Sequence, residues 1–160
     1  MRTNSIFITA LGLIGLAACS SGTLVKESRT VQDGVWTYAD SLQFRATIED
    51  TSRLYDISLL VQHDKSYPFQ NLYLRIHTRF PKGKVLSQPL SLELADKTGR
   101  LLGKCTGKTC RMDIPIQQNA YFNEKGEYVF TLEQYMRMDS LPGVKSIGLH
   151  IRDIGPKKPL

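Results

Sequence analysis

The thiol of Cys19 is the side chain whose surroundings point most directly to a chemical reaction. It ends the apolar stretch Ile6–Cys19, which follows the positive charge of Arg2 and places the small residues Ala17 and Ala18 before the cysteine. A charged start, a short apolar run and small residues are typical of a bacterial secretory signal. The cysteine predicts a lipobox, in which the thiol accepts a diacylglycerol and a peptidase cuts before it. An ordinary signal peptide and an uncleaved anchor helix are the alternatives.

Cleavage before Cys19 would leave 142 residues, the full 160 less the first 18, which is enough for one domain. Acyl chains such as palmitate would hold it on a bilayer, because each buried methylene contributes about 0.8 kcal/mol. We expect a signal peptide at residues 1–18, a lipidated N-terminus and tether at 19–34, a domain at 35–154 and a disordered tail at 155–160. In some bacterial envelopes an acidic run after the lipidated cysteine directs lipoproteins to the outer surface. No acidic run follows Cys19, so we expect the periplasmic face of the outer membrane.

Cys105 and Cys110 are an even pair in a chain predicted to enter an oxidising compartment, so a disulfide between them is the expectation. Their spacing is not the Cys-x-x-Cys of thiol redox enzymes. The segment Gly103–Thr109 resembles a phosphate-binding loop, but three residues instead of four separate its glycines and no helix can begin at Arg111. We predict a hairpin tip at which the two cysteines face each other.

The other polar side chains predict no catalytic or metal site. His63, His77 and His150 share no metal-ligand spacing with one another. The Gly-x-Ser-x-Gly motif of hydrolases is absent, and the neighbours Glu49 and Asp50 would point to opposite sides of a strand. We therefore expect a protein that is not an enzyme and holds neither a cofactor nor a metal.

The charge of the chain argues against nucleic acid as a partner. The formal charge is +6, and it falls to +5 when Arg2 leaves with the signal. Basic residues from Lys26 to Lys158 are interspersed with acidic ones, unlike the clustered patch that nucleic acids require. After the signal, no apolar run approaches the ~20 residues of a membrane span.

Apolar and polar residues alternate along most of the chain beyond Gly34, which is typical of strands with one face on a core. Proline and glycine turn signals separate the alternating runs. The predicted strands cover residues 42–48, 55–61, 72–76, 90–94, 128–132 and 147–151. We predict an all-β fold, an antiparallel, jelly-roll-like β-sandwich of about 7–9 strands. Only residues 132–138 have the pattern of a helical turn or two.

One outward strand face and the loop before it carry the residues most suited to binding. The face combines polar and aromatic side chains that fit a glycan, although such residues are routine on the solvated side of an antiparallel sheet. The loop has aromatic residues beside a turn, which suit a protein partner, although they could equally fix the turn itself. The candidate contact residues are Tyr67, Phe69, Asn71, Tyr73, Arg75 and His77.

Several short segments follow one another in a recognisable order. They are Tyr55–Leu59, Tyr67–Leu74, Phe122-x3-Gly126-x-Tyr128-x-Phe130, and Gln134–Arg137 followed by Leu141–Val144 and Ile147–Leu149. Together with the lipobox, they cover nearly the whole mature chain. In this order and spacing they resemble the gliding-motility lipoprotein family GldH.

The resemblance implies a non-enzymatic outer-membrane lipoprotein that serves the envelope machinery of gliding motility and is associated with type IX secretion. Its partners would be other envelope proteins, and the membrane through the N-terminal lipid. Of the family's functional residues, only the acylated cysteine maps onto this chain, at Cys19. The alternative function is a lipid-anchored module that binds a glycan or peptidoglycan.

Overall fold

Strands make up most of the regular structure of residues 22–157, which are the residues that the computed structural model describes. Eleven strands occur in this part of the chain, with one short 3-10 turn at Gln32–Gly34 and no α-helix. The strands are β1 Thr23–Thr30, β2 Val35–Trp36, β3 Leu42–Ile48, β4 Arg53–Asp64, β5 Asn71–Arg79, β6 Val85–Glu93, β7 Lys104–Thr106, β8 Thr109–Ala120, β9 Gly126–Gln134, β10 Leu141–Pro142 and β11 Val144–Pro156.

Two antiparallel sheets form the predicted sandwich, which the structure confirms. The five-stranded sheet has the order β1-β11-β4-β8-β7, and the four-stranded sheet has the order β3-β9-β5-β6. Strands β2 and β10 form a small separate pair. Eleven strands exceed the 7–9 expected because β2 and β10 have two residues each and β7 has three, which is too short for alternation to be visible.

The core lies between the two sheets and follows the alternation of the long strands. In β4, Tyr55, Ile57, Leu59 and Val61 are buried, whereas the residues between them are partly exposed. Leu74 and Leu132 of the four-stranded sheet are fully buried and belong to the same apolar cluster. Each such side chain contributes about 1.5–3 kcal/mol to the free energy of folding when it leaves water. The inward-facing side chains, which occur at every second residue, therefore hold the two sheets together.

The tether predicted at residues 19–34 is wrong for residues 23–30, because these residues form β1 at the edge of the five-stranded sheet. Val25 is the only buried residue of β1. The strand is held mainly by its backbone pairing with β11, so it needs no apolar alternation and its sequence looks like a tether.

The tail predicted at residues 155–160 is likewise wrong at its start. Gly155 and Pro156 end β11, where they lie opposite Leu54 and Arg53. A terminal proline removes one ladder donor but keeps its carbonyl, so it can close a strand. The predicted lipidation site, Cys19, and residues 158–160 lie outside the described residues.

We call the end of the sandwich at which β1 begins the N-terminal end. Thr23 pairs there with Arg152 of β11, which pairs with Asp56 of β4. Next to Asp56, the ring of Tyr55 lies 5.3 Å from that of Phe122. The ring of Phe122 in turn lies 4.7 Å from that of Tyr128, near the start of β9, so this end of one sheet packs on the corresponding end of the other.

We call the opposite end the far end. Strand β4 finishes there at Asp64, and β9 finishes there at Gln134. The fully buried Trp36 closes this end, with its indole Nε1–H donating to the carbonyl of Asp40 at 2.7 Å. The described portion of the chain has no helix with the length and hydropathy needed to cross a bilayer.

Candidate partner-binding groove

An open groove of about 490 Å³ lies at the far end of the four-stranded sheet. It lies between the loop that precedes β5, the start of β5 and the segment that follows β9. Its walls are aromatic, methionine and arginine side chains. The lining residues are Phe69, Tyr73, Tyr135, Met136, Arg137 and Met138.

The buried amide of Gln134 sets the shape of the segment that follows β9. Its Nε2 donates to the carbonyl oxygens of Met138, at 2.9 Å, and Asp139, at 3.0 Å. Its Oε1 accepts a hydrogen bond from the backbone N–H of Met136 at 2.9 Å. A buried amide whose hydrogen bonds are all made to nearby backbone fixes that backbone locally. The helical turn expected over residues 132–138 is therefore replaced by a wrap around Gln134.

Three contacts fasten this wrapped segment to the rest of the sandwich. The N–H of Tyr135 donates to the carbonyl of Tyr73 at 2.8 Å. The N–H of Tyr73 points at the sulfur of Met136 at 3.3 Å, and the hydroxyl of Tyr38 donates to the carbonyl of Met136 at 2.5 Å. The groove is therefore held in place from β5 and from the loop after β2.

Two arginines give the groove a positive rim. The guanidinium carbon of Arg75 lies 4.1 Å from the ring centroid of Tyr135, within the range of a cation–π contact. Within residues 22–157, the side chains of Arg75 and Arg137 form neither a hydrogen bond nor an ion pair. Tyr73 is 45% exposed and Tyr135 is 50% exposed. Aromatic surface is thus open to solvent beside two arginines that have no anionic partner in the described chain.

The loop residues predicted to bind divide between the groove and the core. Tyr67 is buried, and its hydroxyl donates to the carbonyl of Asn71 at 3.2 Å. Burial raises the pKa of Tyr67, so its hydroxyl stays a donor. The Asn71 amide nitrogen lies 3.2 Å from the hydroxyl of Ser91. Tyr67 and Asn71 therefore fix the turn, whereas Phe69 reaches the groove.

His77 points outward as its strand position predicts, but both of its ring nitrogens have partners. Nδ1 lies 2.7 Å from the hydroxyl of Ser87, and Nε2 lies 3.2 Å from a carboxylate oxygen of Glu133. The structure therefore brings Phe69 and Tyr73 into the groove and Arg75 onto the ring of Tyr135 beside it, and it leaves His77 in a hydrogen-bonded row on the sheet.

Sequence reasoning missed four of the six lining residues as binding residues. Residues 135–138 follow the end of a strand as Tyr-Met-Arg-Met, and none of these side chains had a place in the predicted core. Aromatic residues, methionine and arginine are enriched at protein–protein interfaces. That composition, immediately after a strand end, is the signal that could have identified the groove.

The cysteine hairpin lies at the far end of the other sheet. Cys105 and Cys110 lie directly opposite each other in β7 and β8, and a disulfide joins them. The N–H of Lys65, after β4, donates to the carbonyl of Lys108 in the hairpin turn at 2.9 Å. The disulfide thus closes the hairpin, and the hydrogen bond joins the hairpin turn to the turn that follows β4.

The histidines lie apart from one another in the structure. His63 is fully buried, with Nδ1 2.8 Å from the carbonyl of Asp64. His150 lies on the outer face of the five-stranded sheet, with Nδ1 3.4 Å from a carboxylate oxygen of Asp113. From residue 22 to residue 157, no three histidine, cysteine, aspartate or glutamate side chains come together as metal ligands would.

Some solved viral proteins share a weak structural likeness with this chain. One is the structure of the infectious bursal disease virus Gx strain, with 16% identity and a TM-score of 0.31, covering 96% of this chain and 39% of that chain. Another is the subviral particle of the same virus, with a TM-score of 0.25. This chain spans less than half of each of these proteins, and the scores are too low to carry an argument.

Sequence comparison is more informative. The chain is 25% identical over 154 residues to a gliding motility lipoprotein GldH homolog from Christiangramia forsetii, covering 92% of this chain and 94% of the relative. It is 24% identical over 156 residues to the gliding motility lipoprotein GldH of Flavobacterium johnsoniae, covering 97% and 96%. The family model for the GldH lipoprotein matches residues 23–151, and the chain therefore belongs to the GldH lipoprotein family.

Proposed function

We propose that this protein is a non-enzymatic interaction component of the envelope machinery for gliding motility, associated with type IX secretion. It is held by acyl chains on Cys19 at the periplasmic face of the outer membrane. Membership of a gliding-motility lipoprotein family supports this role, as does the lipobox sequence before Cys19. The observation that carries the interaction role is the open aromatic and methionine groove at the far end of the sandwich.

The groove suits a segment of a partner protein. Methionine side chains adapt to apolar groups of different shapes, and Met136 and Met138 line the groove together with exposed tyrosines. Arg75 and Arg137 lack anionic partners within the described residues. The occupant is therefore a peptide segment with an apolar side chain for the groove and acidic residues beside it.

A glycan fits these contacts less well. The glycan hypothesis relied on Tyr73, Arg75 and His77 as one binding face. His77 is occupied by Ser87 and Glu133. Arg75 covers one face of the Tyr135 ring, so that face cannot stack on a sugar. The groove also offers few polar groups for the hydroxyls of a sugar, which need directional hydrogen bonds.

The test replaces groove residues in the native host and measures colony spreading and secretion of outer-surface cargo. Tyr135→Ala removes a half-exposed side chain, so folding is preserved, but the loss of an interface hot spot costs about 2 kcal/mol, more than tenfold in affinity. Arg137→Glu reverses the charge at the rim. Both variants should reduce spreading at normal protein levels on an immunoblot.

The controls are matched for exposure and charge. Val85→Ala removes an apolar side chain that is 54% exposed at the N-terminal end of β6, and Lys97→Glu reverses an exposed charge outside the groove. Both should spread normally. Normal spreading of the Tyr135 and Arg137 variants would contradict the proposal. Retention on peptidoglycan that is lost in a Tyr73→Ala, Arg75→Ala double variant would favour the glycan alternative instead.

A further inference from the structure

We infer that the sandwich stands on the lipid headgroups by its N-terminal end and presents the groove away from the membrane. This inference rests on the acylation of Cys19 in the proposed function. The partner of this surface is the bilayer that holds the acyl chains. The length of chain between Cys19 and the first residues of the fold limits how far the domain can move from its anchor.

The tether between anchor and fold is very short. The N–H of Asp153 donates to the carbonyl of Gly22 at 2.8 Å, and Thr23 already belongs to β1. Gly22 is therefore fastened to the sandwich, and it lies three residues after Cys19. An extended chain spans at most about 3.6 Å per residue, so three residues reach about 11 Å. The N-terminal end cannot move further than this from the membrane surface.

The other turns at the N-terminal end form, together with Gly22, the surface that meets the headgroups. The N–H of Lys157 donates to the carbonyl of Ser52 at 2.7 Å, which joins the chain after β11 to the β3–β4 turn. The ammonium of Lys82, after β5, lies 3.3 Å from the carboxylate of Glu124, before β9, so these two turns also adjoin.

Two lysines at this end are free to meet phosphate groups. Lys84 and Lys125 are exposed, and within residues 22–157 neither side chain forms a hydrogen bond or an ion pair. Ammonium groups close to a bilayer are attracted to anionic headgroups. Lys97 and Lys108 are also exposed at the far end, so the distribution of lysines does not determine which end of the sandwich faces the membrane. The short length of the tether determines it.

The groove is separated from the membrane by the length of the strands. From Tyr55 at the N-terminal end to His63 at the far end, β4 runs eight residues, and at about 3.3 Å per residue this is roughly 26 Å. A partner must therefore contact the groove from the periplasmic space, well above the headgroups, because the groove does not lie in the plane of the bilayer.

The test measures energy transfer from two labelled positions to an acceptor dye on lipid headgroups. Full-length lipidated protein is reconstituted in liposomes. A fluorescent donor is attached to the cysteine of a Lys125→Cys or a Lys97→Cys variant. The donor is chosen so that its energy-transfer distance to the headgroup acceptor is shorter than the length of the domain. These are exposed lysines at opposite ends, and the native disulfide is kept oxidised during labelling. Transfer from position 125 should exceed transfer from position 97 several-fold.

A lengthened tether is the matched control. An insertion of about twenty glycine and serine residues before Gly22 makes the tether flexible and long, so the difference between the two positions should collapse. Equal transfer with the native tether, or greater transfer from position 97, would overturn the orientation while leaving the lipid anchor intact. Failure of the protein to float with the liposomes would overturn the proposed anchor, and the orientation with it.

Discussion

Replacing Gln134 by methionine should loosen the groove without emptying the core. Gln134 is 3% exposed, and its amide makes three hydrogen bonds to the backbone of residues 136, 138 and 139. Methionine has a similar length but can make none of these bonds. Gln134→Met therefore removes the hydrogen bonds while the packing of the side chain is largely kept. At about 1 kcal/mol for each bond, we expect a loss of roughly 3 kcal/mol in the free energy of unfolding.

Two measurements check this magnitude and its location. Denaturant unfolding gives the change in the free energy of unfolding, and amide hydrogen exchange shows where protection is lost. The amide of Met136 donates to Gln134, so it should exchange faster in the variant. The control is Gln117→Met on the exposed face of β8, which should change stability by less than about 0.5 kcal/mol.

A Gln134→Met variant whose free energy of unfolding differs from that of the natural protein by less than about 0.5 kcal/mol would refute this role of Gln134. Unchanged protection of Met136 would refute it independently, because the groove would then be shaped by something other than Gln134. A large loss of stability with normal colony spreading would show that the conformation fixed by Gln134 is not needed for the proposed role.

Three further predictions concern the rest of the sandwich. Gly148→Ala should destabilise the protein by about 1–3 kcal/mol in denaturant unfolding, because its added Cβ would lie 2.5 Å from the carbonyl oxygen of Glu27 in β1. Reduction of the Cys105–Cys110 disulfide should lower the free energy of unfolding by on the order of 2 kcal/mol, since the closed loop is short. Hydrogen bonds, first that of the neighbouring Thr98 hydroxyl, lower the pKa of Asp96 from 3.8 to about 2, so its stabilising effect is present above pH 4 and is lost as the pH falls through about 2.

Each of these predictions has its own check. Gly148→Val adds two further methyl groups at the same strand position, where they meet Glu27 and Ser28, so it should cost clearly more than Gly148→Ala; equal costs would exclude the steric explanation. A Cys105→Ser, Cys110→Ser double variant should be insensitive to reductant, and any remaining response would point to another thiol. Asp96→Asn should flatten the acid dependence of stability between pH 4 and pH 2, and an unchanged pH profile would contradict the assignment.

The sandwich was predictable because its long strands each bury one face. The alternation along β4, β5 and β9 predicted both the class and the faces correctly. Strand β1 was not predictable in this way, because Val25 is its only buried residue and its place in the sheet comes from backbone pairing. The tether therefore seemed longer than it is.

The groove depends on contacts between residues far apart in the sequence. Phe69 and Tyr73 were candidate binding residues, but the stacking of Arg75 on Tyr135 joins β5 to a segment sixty residues later. The conformation of that segment comes from the buried amide of Gln134, and a polar residue at an inward strand position gives no local sign of this role. His77 was correctly placed on the outer face, but its partners on β6 and β9 could not be predicted from its own strand.

Site-specific photo-crosslinking in living cells tests the central claim most directly. A photoreactive residue replaces Tyr135 in the groove or Val85 at the N-terminal end of β6, and the adducts are mapped by mass spectrometry. The account predicts a protein adduct at position 135 but not at position 85, joined to an acidic segment with apolar residues and lost in the Arg137→Glu background. No protein adduct at position 135, or equal adducts at both positions, would contradict it.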